Sequence, residues 1–209
     1  MMNRLWLVRH GAVEVPRKGE FYGCADVSLS AAGEIEARQA AKVLSGVAFD
    51  GIVASPLERA RVGAHHIAEE CGAVEVVIDP RLREIDRGRW VGLTPEEVEQ
   101  QFPGDLLAGR TDPENWRGNG GESLGDLRQR VIEARTDILS SHPGEDWGLV
   151  AHSYPILAIL ADVAGLEYED WTVHRIPTGS ISRITYDGGC ATIDVCGWTP
   201  RENPGETFP

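Results

Sequence analysis

The sequence predicts an α/β fold built on a buried, parallel-type sheet with at least one antiparallel edge. Three observations predict it. Leu5-Trp6-Leu7-Val8 is a run of four apolar residues, which suits a strand buried on both faces, as parallel strands are. Trp147-Gly148-Leu149-Val150-Ala151 is a second buried run, and an apolar helical stretch over 156–164 follows it closely. Residues 180–186 and 191–195 flank Asp187-Gly188-Gly189, a hairpin signal and so an antiparallel pair.

Each element follows in order. The first strand stops at Arg9-His10-Gly11, and the turn-rich stretch 12–28 should cross the mouth of the sheet as a loop. Ser30 caps a helix whose apolar stripe is Ile35, Ala37, Ala40, Ala41, Val43 and Leu44, ended by Gly46. Residues 49–54 read as a second strand. Ser55 then caps a helix with Pro56 in its first turn, running to about Cys71 and carrying Arg59 near its start. His65 and His66 on it read as surface or packing residues. The β-branched run 74–78 is a third strand, and 81–92 a polar, glycine-bearing loop. Thr94-Pro95 opens another helix. Residues 102–119 read as loop, and 123–141 as a long amphipathic helix with Leu124, Leu127, Val131, Ala134, Ile138 and Leu139 inward. The tail from 197 to 209 is rich in proline and glycine, so disorder is expected unless it docks.

A chain of 209 residues suits a single domain, 1–196, with a substantial core. The net charge of −13 argues against a large nucleic-acid footprint, which needs clustered Lys and Arg. It leaves room for a small anionic substrate in a locally basic pocket. No apolar run approaches the ~20 residues of a membrane span, and the first apolar stretch ends at Arg9, too short for a signal peptide. Cys24, Cys71, Cys190 and Cys196 form no CxxC pair, so no zinc site or other metal is expected. The expected setting is the cytoplasm.

The chemistry gathers at strand ends. His10 and His152 each follow a buried strand directly, at the carboxyl edge where open α/β sheets place ligands. Gly11, lacking a side chain, would let a ligand approach the backbone. Arg59 lies in a first helical turn, where free N–H groups and the dipole already favour anions and a guanidinium adds a fork of donors suited to phosphate. Taken singly, each is an ordinary turn, packing or surface residue; two histidines and this arginine together are a constellation.

Leu7-Val8-Arg9-His10-Gly11, Ser55-Pro56-Leu57-Glu58-Arg59-Ala60, Leu82-Arg83-Glu84 with Gly88-Arg89-Trp90-Val91-Gly92, Gly120-Gly121-Glu122-Ser123 and Val150-Ala151-His152 follow the order of the histidine phosphatase superfamily, the phosphoglycerate-mutase-like group. The chain resembles that superfamily over roughly residues 5–186. The resemblance implies a three-layer α/β sandwich with a mostly parallel central sheet, helices on both faces, and phosphoryl transfer through a phosphohistidine with no cofactor. It implies His10 as nucleophile, Arg9, Arg59 and His152 as the phosphate clamp, and Glu84 as proton donor. Tyr22-Gly23-Cys24-Ala25-Asp26-Val27-Ser28 is similar to the loop of α-ribazole-phosphate phosphatases, which adds Tyr22 to the substrate contacts beside Gly11 and Ser153. Two departures stand out. Ala12, Val13 and Pro16 replace the usual acidic residue, threonine and asparagine, and Pro16 has no N–H to offer phosphate; Ser153 replaces a glycine but keeps its backbone N–H.

The expected partner is a small phosphorylated metabolite, with neither nucleic acid nor membrane, and a homodimer is allowed. Arg9 and Arg59 would neutralise the ester and hold His10 neutral. Glu84 must stay protonated to act as an acid, while Arg83, Arg87 and Arg89 pull the other way; Glu14 is the next candidate. Two alternatives remain: a mutase that returns the phosphoryl group to its substrate, and a phospho-ligand-binding protein that has lost catalysis.

Overall fold

A computed structural model describes residues 2–14, 17–201 and 207–209, with Thr172 described by its backbone alone. The chain forms β1 (Asn3–Arg9), α1 (Ala31–Leu44), β2 (Gly51–Ala54), α2 (Glu58–Glu70), β3 (Val76–Ile78), α3 (Pro95–Gln101), α4 (Asp105–Thr111), α5 (Leu124–Ser141), β4 (Asp146–Ala151), α6 (Ser153–Ala164), β5 (Ile181–Asp187) and β6 (Cys190–Trp198). The strands make one sheet in the order β3-β2-β4-β1-β5-β6. β3–β2, β2–β4 and β4–β1 pair parallel, whereas β1–β5 and β5–β6 pair antiparallel. The expected parallel centre with an antiparallel edge is what forms.

The three layers follow from strand alternation, because successive side chains point to opposite faces. Leu5 and Leu7 join Val53, Leu149 and Ala151 under α5 and α6, against Leu127, Val131, Ile156 and Leu160. Trp6 and Val8 point the other way, with Ile52, Ala54 and Val150, under the small residues Ala40, Ala41, Ala60 and Ala64 of α1 and α2. Burial on both faces explains the unbroken apolar runs.

Caps set several helix starts. The Ser30 hydroxyl accepts from the Gly33 N–H at 3.1 Å. Thr94 with Glu97 and Ser123 with Asp126 form reciprocal capping boxes. The Gly188-Gly189 turn has φ of +56° and +86°, the left-handed pair that a two-residue hairpin turn requires.

Some expectations fail locally. Residues 102–119 are not all loop, since α4 forms within them; Asp105 in its first turn and Arg110 in its last suit the helix dipole. Ile35 is off the α1 stripe and 57% exposed. Ser55 is not the cap of α2. That helix starts at Glu58, and its first N–H is met at 2.7 Å by Asp26 from the crossing loop. In the tail, β6 continues to Trp198, and Phe208 packs 5.3 Å from both Trp6 and Trp198. Pro16, with Val15, lies outside the described residues.

Candidate active site

Three adjacent parallel strands, β2, β4 and β1, end side by side, and each delivers part of the site. β1 ends in Arg9 and His10, β4 leads into His152, and β2 leads through Ser55 to Arg59 on α2. The His10 and His152 rings stand 5.0 Å apart at 58°. His10 and His152 are buried, as are Arg59 and Glu84. Buried charge-bearing groups are rare without a partner or a task.

His10 Nδ1 lies 2.6 Å from the Gly11 carbonyl oxygen. A carbonyl only accepts, so Nδ1 carries the proton in the neutral ring and Nε2 keeps its lone pair. Burial, followed by the charges of Arg9 and Arg59, holds the imidazole well below its ordinary pKa. The ring is therefore neutral and nucleophilic at neutral pH.

Arg59 is fully buried. Its Nη1 donates to the Ala25 carbonyl at 2.7 Å, Nη2 to the Gly23 carbonyl at 2.8 Å, and Nε to His152 Nδ1 at 3.2 Å. A guanidinium has five N–H groups, so one on each terminal nitrogen remains uncommitted. The guanidinium also sits 5.2 Å from the Tyr22 ring centroid. Arg59 thus ties the crossing loop to the sheet edge and offers donors beside His10.

His152 is fully engaged within the protein. Its Nδ1 accepts from Arg59, so its proton sits on Nε2, which donates to Ser55 Oγ at 2.7 Å. Burial lowers its pKa well below the ordinary value, with His10 and Arg59 adding to the effect. Its visible task is to set the plane of Arg59. Ser55, read from the sequence as a cap, is the partner of His152.

Arg9 donates through Nη1 to the Ile176 carbonyl at 2.5 Å, while its Nε–H is buried with no partner among the described residues. Such an orphan donor costs about 1–3 kcal/mol and invites an acceptor from outside the protein. Ser153 opens α6 directly after His152, so the free N–H groups of that helix start join the same edge. Gly11 has a different reason to be glycine than ligand access. A Cβ there would meet the Gly33 carbonyl oxygen at 2.0 Å, and one on Gly33 would meet the Ala12 oxygen at 1.8 Å.

Glu84 accepts from the Ile85 N–H at 2.9 Å. Burial raises its pKa and prevails over the Ile85 bond and the charges of Arg87, Arg9 and Arg59. Of the opposing arginines expected from the sequence, only Arg87 acts; Arg83 pairs with Glu122 at 3.3 Å and Arg89 with Asp105 at 2.6 Å. Glu14 is exposed. His65 and His66 bond the Arg61 carbonyl and Glu34 respectively.

One residue was missed altogether. Arg130 of α5 donates to the carbonyls of Arg81, Arg83 and Glu84, the last two at 2.7 and 3.3 Å. It also forms a two-pronged ion pair with Glu122 at 2.6 and 2.8 Å. Glu122 in turn accepts from the Asp86 N–H at 3.3 Å. The pair therefore grips the backbone on both sides of Glu84. The signal was an arginine beside the apolar stripe of α5, between Leu127 and Val131. Gly121 lets the two loops meet, since a Cβ on it would reach the Asp86 oxygen at 2.3 Å.

A doubly covered α/β sheet whose carboxyl edge holds a neutral imidazole, two guanidiniums and a buried carboxyl defines a phosphate-ester enzyme. The chain belongs to the histidine phosphatase superfamily, branch 1, whose profile matches residues 5–199. It is 33% identical over 166 residues to phosphoserine phosphatase 1 of Hydrogenobacter thermophilus, covering 79% of this chain and 78% of that protein. It is 35% identical over 181 residues to the glucosyl-3-phosphoglycerate phosphatase of Mycolicibacterium vanbaalenii, covering 82% and 79%. The crystal structure of a putative α-ribazole-5′-phosphate phosphatase from Escherichia coli superposes with a TM-score of 0.84 at 27% identity, over 92% of this chain and 95% of that one. Phosphatase relatives of this kind make the chain a phosphomonoester hydrolase.

Proposed function

We propose that the chain hydrolyses a small phosphorylated metabolite in two steps, without a metal ion, through a phosphohistidine on Nε2 of His10. Nε2 attacks phosphorus in line. Arg9 and Arg59, with the start of α6, balance the charge on the phosphoryl oxygens. The P–O bond to the alcohol breaks, and Glu84 gives its proton to the departing oxygen. Glu84, now a carboxylate, takes a proton from a water molecule. That water attacks phosphorus, the P–N bond breaks and phosphate leaves, returning His10 neutral and Glu84 protonated.

The observation that carries this reading is the opposed titration of two buried groups. Burial drives the His10 imidazole down and the Glu84 carboxyl up, so the ring keeps its lone pair and the carboxyl holds its proton to a higher pH than an ordinary carboxyl does. The relatives supply candidate substrates: phosphoserine, glucosyl-3-phosphoglycerate and α-ribazole 5′-phosphate. Among the described residues no helix is long and apolar enough to cross a membrane.

Rapid quench with radiolabelled substrate in EDTA tests the proposal. Label on the protein that is acid-labile and base-stable, and absent from His10→Ala, is the expected result. Loss of turnover in EDTA with recovery on adding Mg²⁺ or Zn²⁺ would overturn metal independence. Label persisting in His10→Ala would move the nucleophile. Label returned to another hydroxyl of the ester, rather than released as phosphate, would mark a mutase.

A further inference from the structure

Beside the phosphate-facing edge lies a cavity of about 520 Å³. Its wall includes Ile85 and Arg87, just beyond Glu84, together with Phe21 next to Tyr22 and Tyr154 next to Ser153. Those neighbours place it next to the site, with Arg87 close enough to act on the Glu84 carboxyl. The volume falls in the range of about 300–1,000 Å³ typical of pockets for drug-sized ligands, far more than a three-carbon alcohol fills.

Two features give the cavity a chemistry. Aromatic faces form one: Trp90 and Trp116 stack with centroids 5.2 Å apart at 32°, and Phe21 lies 5.6 Å from Trp90. Trp90 itself is buried, so the half-buried Phe21 and Trp116 rings carry the apolar wall on which a ring can pack. The other is uncommitted positive charge. Arg87 lies 5.4 Å from the Phe21 centroid and 4.6 Å from that of Tyr154, and among the described residues its guanidinium has no ion pair or hydrogen bond. Arg110, also on the wall, likewise has none. Of the two carboxylates on the wall, Glu122 is paired with Arg130 and Glu169 is exposed. A guanidinium held between two rings, with its donors unused, is built to receive a planar anion bidentately.

We infer that this cavity holds the alcohol part of the substrate, and that Arg87 recognises a carboxylate on it while the wall of Phe21 and Trp116 takes a ring. The substrate class is thus a phosphomonoester of a ring-bearing hydroxy acid. The inference rests on the hydrolase reading above and narrows it. A carboxylate seated on Arg87 would also offset that residue's pull on Glu84, so correct binding favours the protonated acid.

A matched pair of probes tests it: para-(carboxymethyl)phenyl phosphate and its neutral amide, equal in shape and nearly so in leaving group. Wild-type kcat/KM should favour the acid by about tenfold or more, the worth of one charge-assisted contact. Arg87→Met should bring that ratio to near one, whatever the absolute rates, and Arg87→Lys should keep part of it. A wild-type ratio near or below one overturns the inference, as does a ratio unchanged in Arg87→Met. If that variant does not fold, competition in the wild type decides: para-hydroxyphenylacetate must inhibit better than its amide. Should both probes and p-nitrophenyl phosphate all resist hydrolysis, the hydrolase reading fails and the inference with it. If p-nitrophenyl phosphate and both probes turn over with no preference for the carboxylate, the assignment of Arg87 alone fails.

Discussion

Replacing Glu84 by Gln removes one transferable proton and little else. The amide oxygen still accepts from the Ile85 N–H now bonded at 2.9 Å, and the side chain keeps its size in a buried site. If Glu84 protonates the departing oxygen, the loss must scale with that oxygen's need. An alkyl phosphate leaves as a basic alkoxide, so Glu84→Gln should slow glycerol phosphate by roughly 10²–10⁴-fold, about 3–5 kcal/mol of barrier. p-Nitrophenolate is a stable anion, and its ester should slow by less than about tenfold. The basic limb of the alkyl pH profile, set above the ordinary carboxyl range because burial raises Glu84, should vanish in the variant. Stability supplies a second readout. A carboxyl whose pKa is raised by folding binds its proton more tightly in the native state, so its contribution is complete below the unfolded value and lost as pH rises through the folded one. Glu84→Gln, always neutral, escapes that loss, and its stability relative to wild type should grow with pH in urea titrations. Equal, large losses for both esters would refute the acid role and leave Glu84 as a structural element. Small, equal losses would refute any part in the chemistry.

The other predictions concern the groups that hold these residues in place. Arg130→Met breaks the ion pair with Glu122 and frees the backbone around Glu84; it should cost about 3–5 kcal/mol in chemical denaturation, and slow alkyl esters more than p-nitrophenyl phosphate. A uniform slowing would limit Arg130 to a purely structural part. Ser55→Ala leaves the His152 Nε2–H without its 2.7 Å acceptor, so stability should fall by about 1–3 kcal/mol and inhibition by inorganic phosphate should weaken as Arg59 loses its support. Unchanged phosphate inhibition would mean that the plane of Arg59 is set elsewhere. His10 and His152 are both held neutral by burial, so stability should be complete above the ordinary imidazole value and fall as pH drops below it, and His10→Gln should flatten that fall. Gly11→Ala drives a Cβ into the Gly33 carbonyl and should destabilise by about 1–3 kcal/mol or more; a well-folded variant impaired only in phosphate binding would restore the ligand-access explanation.

Much of the fold was legible because it is written locally. Leu5–Val8 and Leu149–Ala151 declare strands covered on both faces, and Ser30, Thr94 and Ser123 declare helix starts through bonds three residues long. The short helix α4 was not legible. It buries no residue fully, so it carries too faint an apolar stripe to stand out from a loop. The histidines at the two strand ends were legible for the same local reason: a buried run that stops abruptly at an imidazole marks a sheet edge.

By itself, then, the sequence determined which elements form, which strands are buried and which two histidines reach the sheet edge, since periodicity and capping act within a turn or two. Only the tertiary structure decided what those residues meet. Ser55 lies 97 positions from His152, Arg59 lies 36 from Gly23, and Arg130 lies 46 from the Glu84 carbonyl it supports. The upward shift of the Glu84 carboxyl depended on burial prevailing over three arginines, a balance that no local pattern contains. Gly11 looked open to a ligand and is instead pressed against Gly33. Partner choice, desolvation and close backbone contact arise between segments that share no sequence neighbourhood, so they exist only once the sheet has brought its strand ends together.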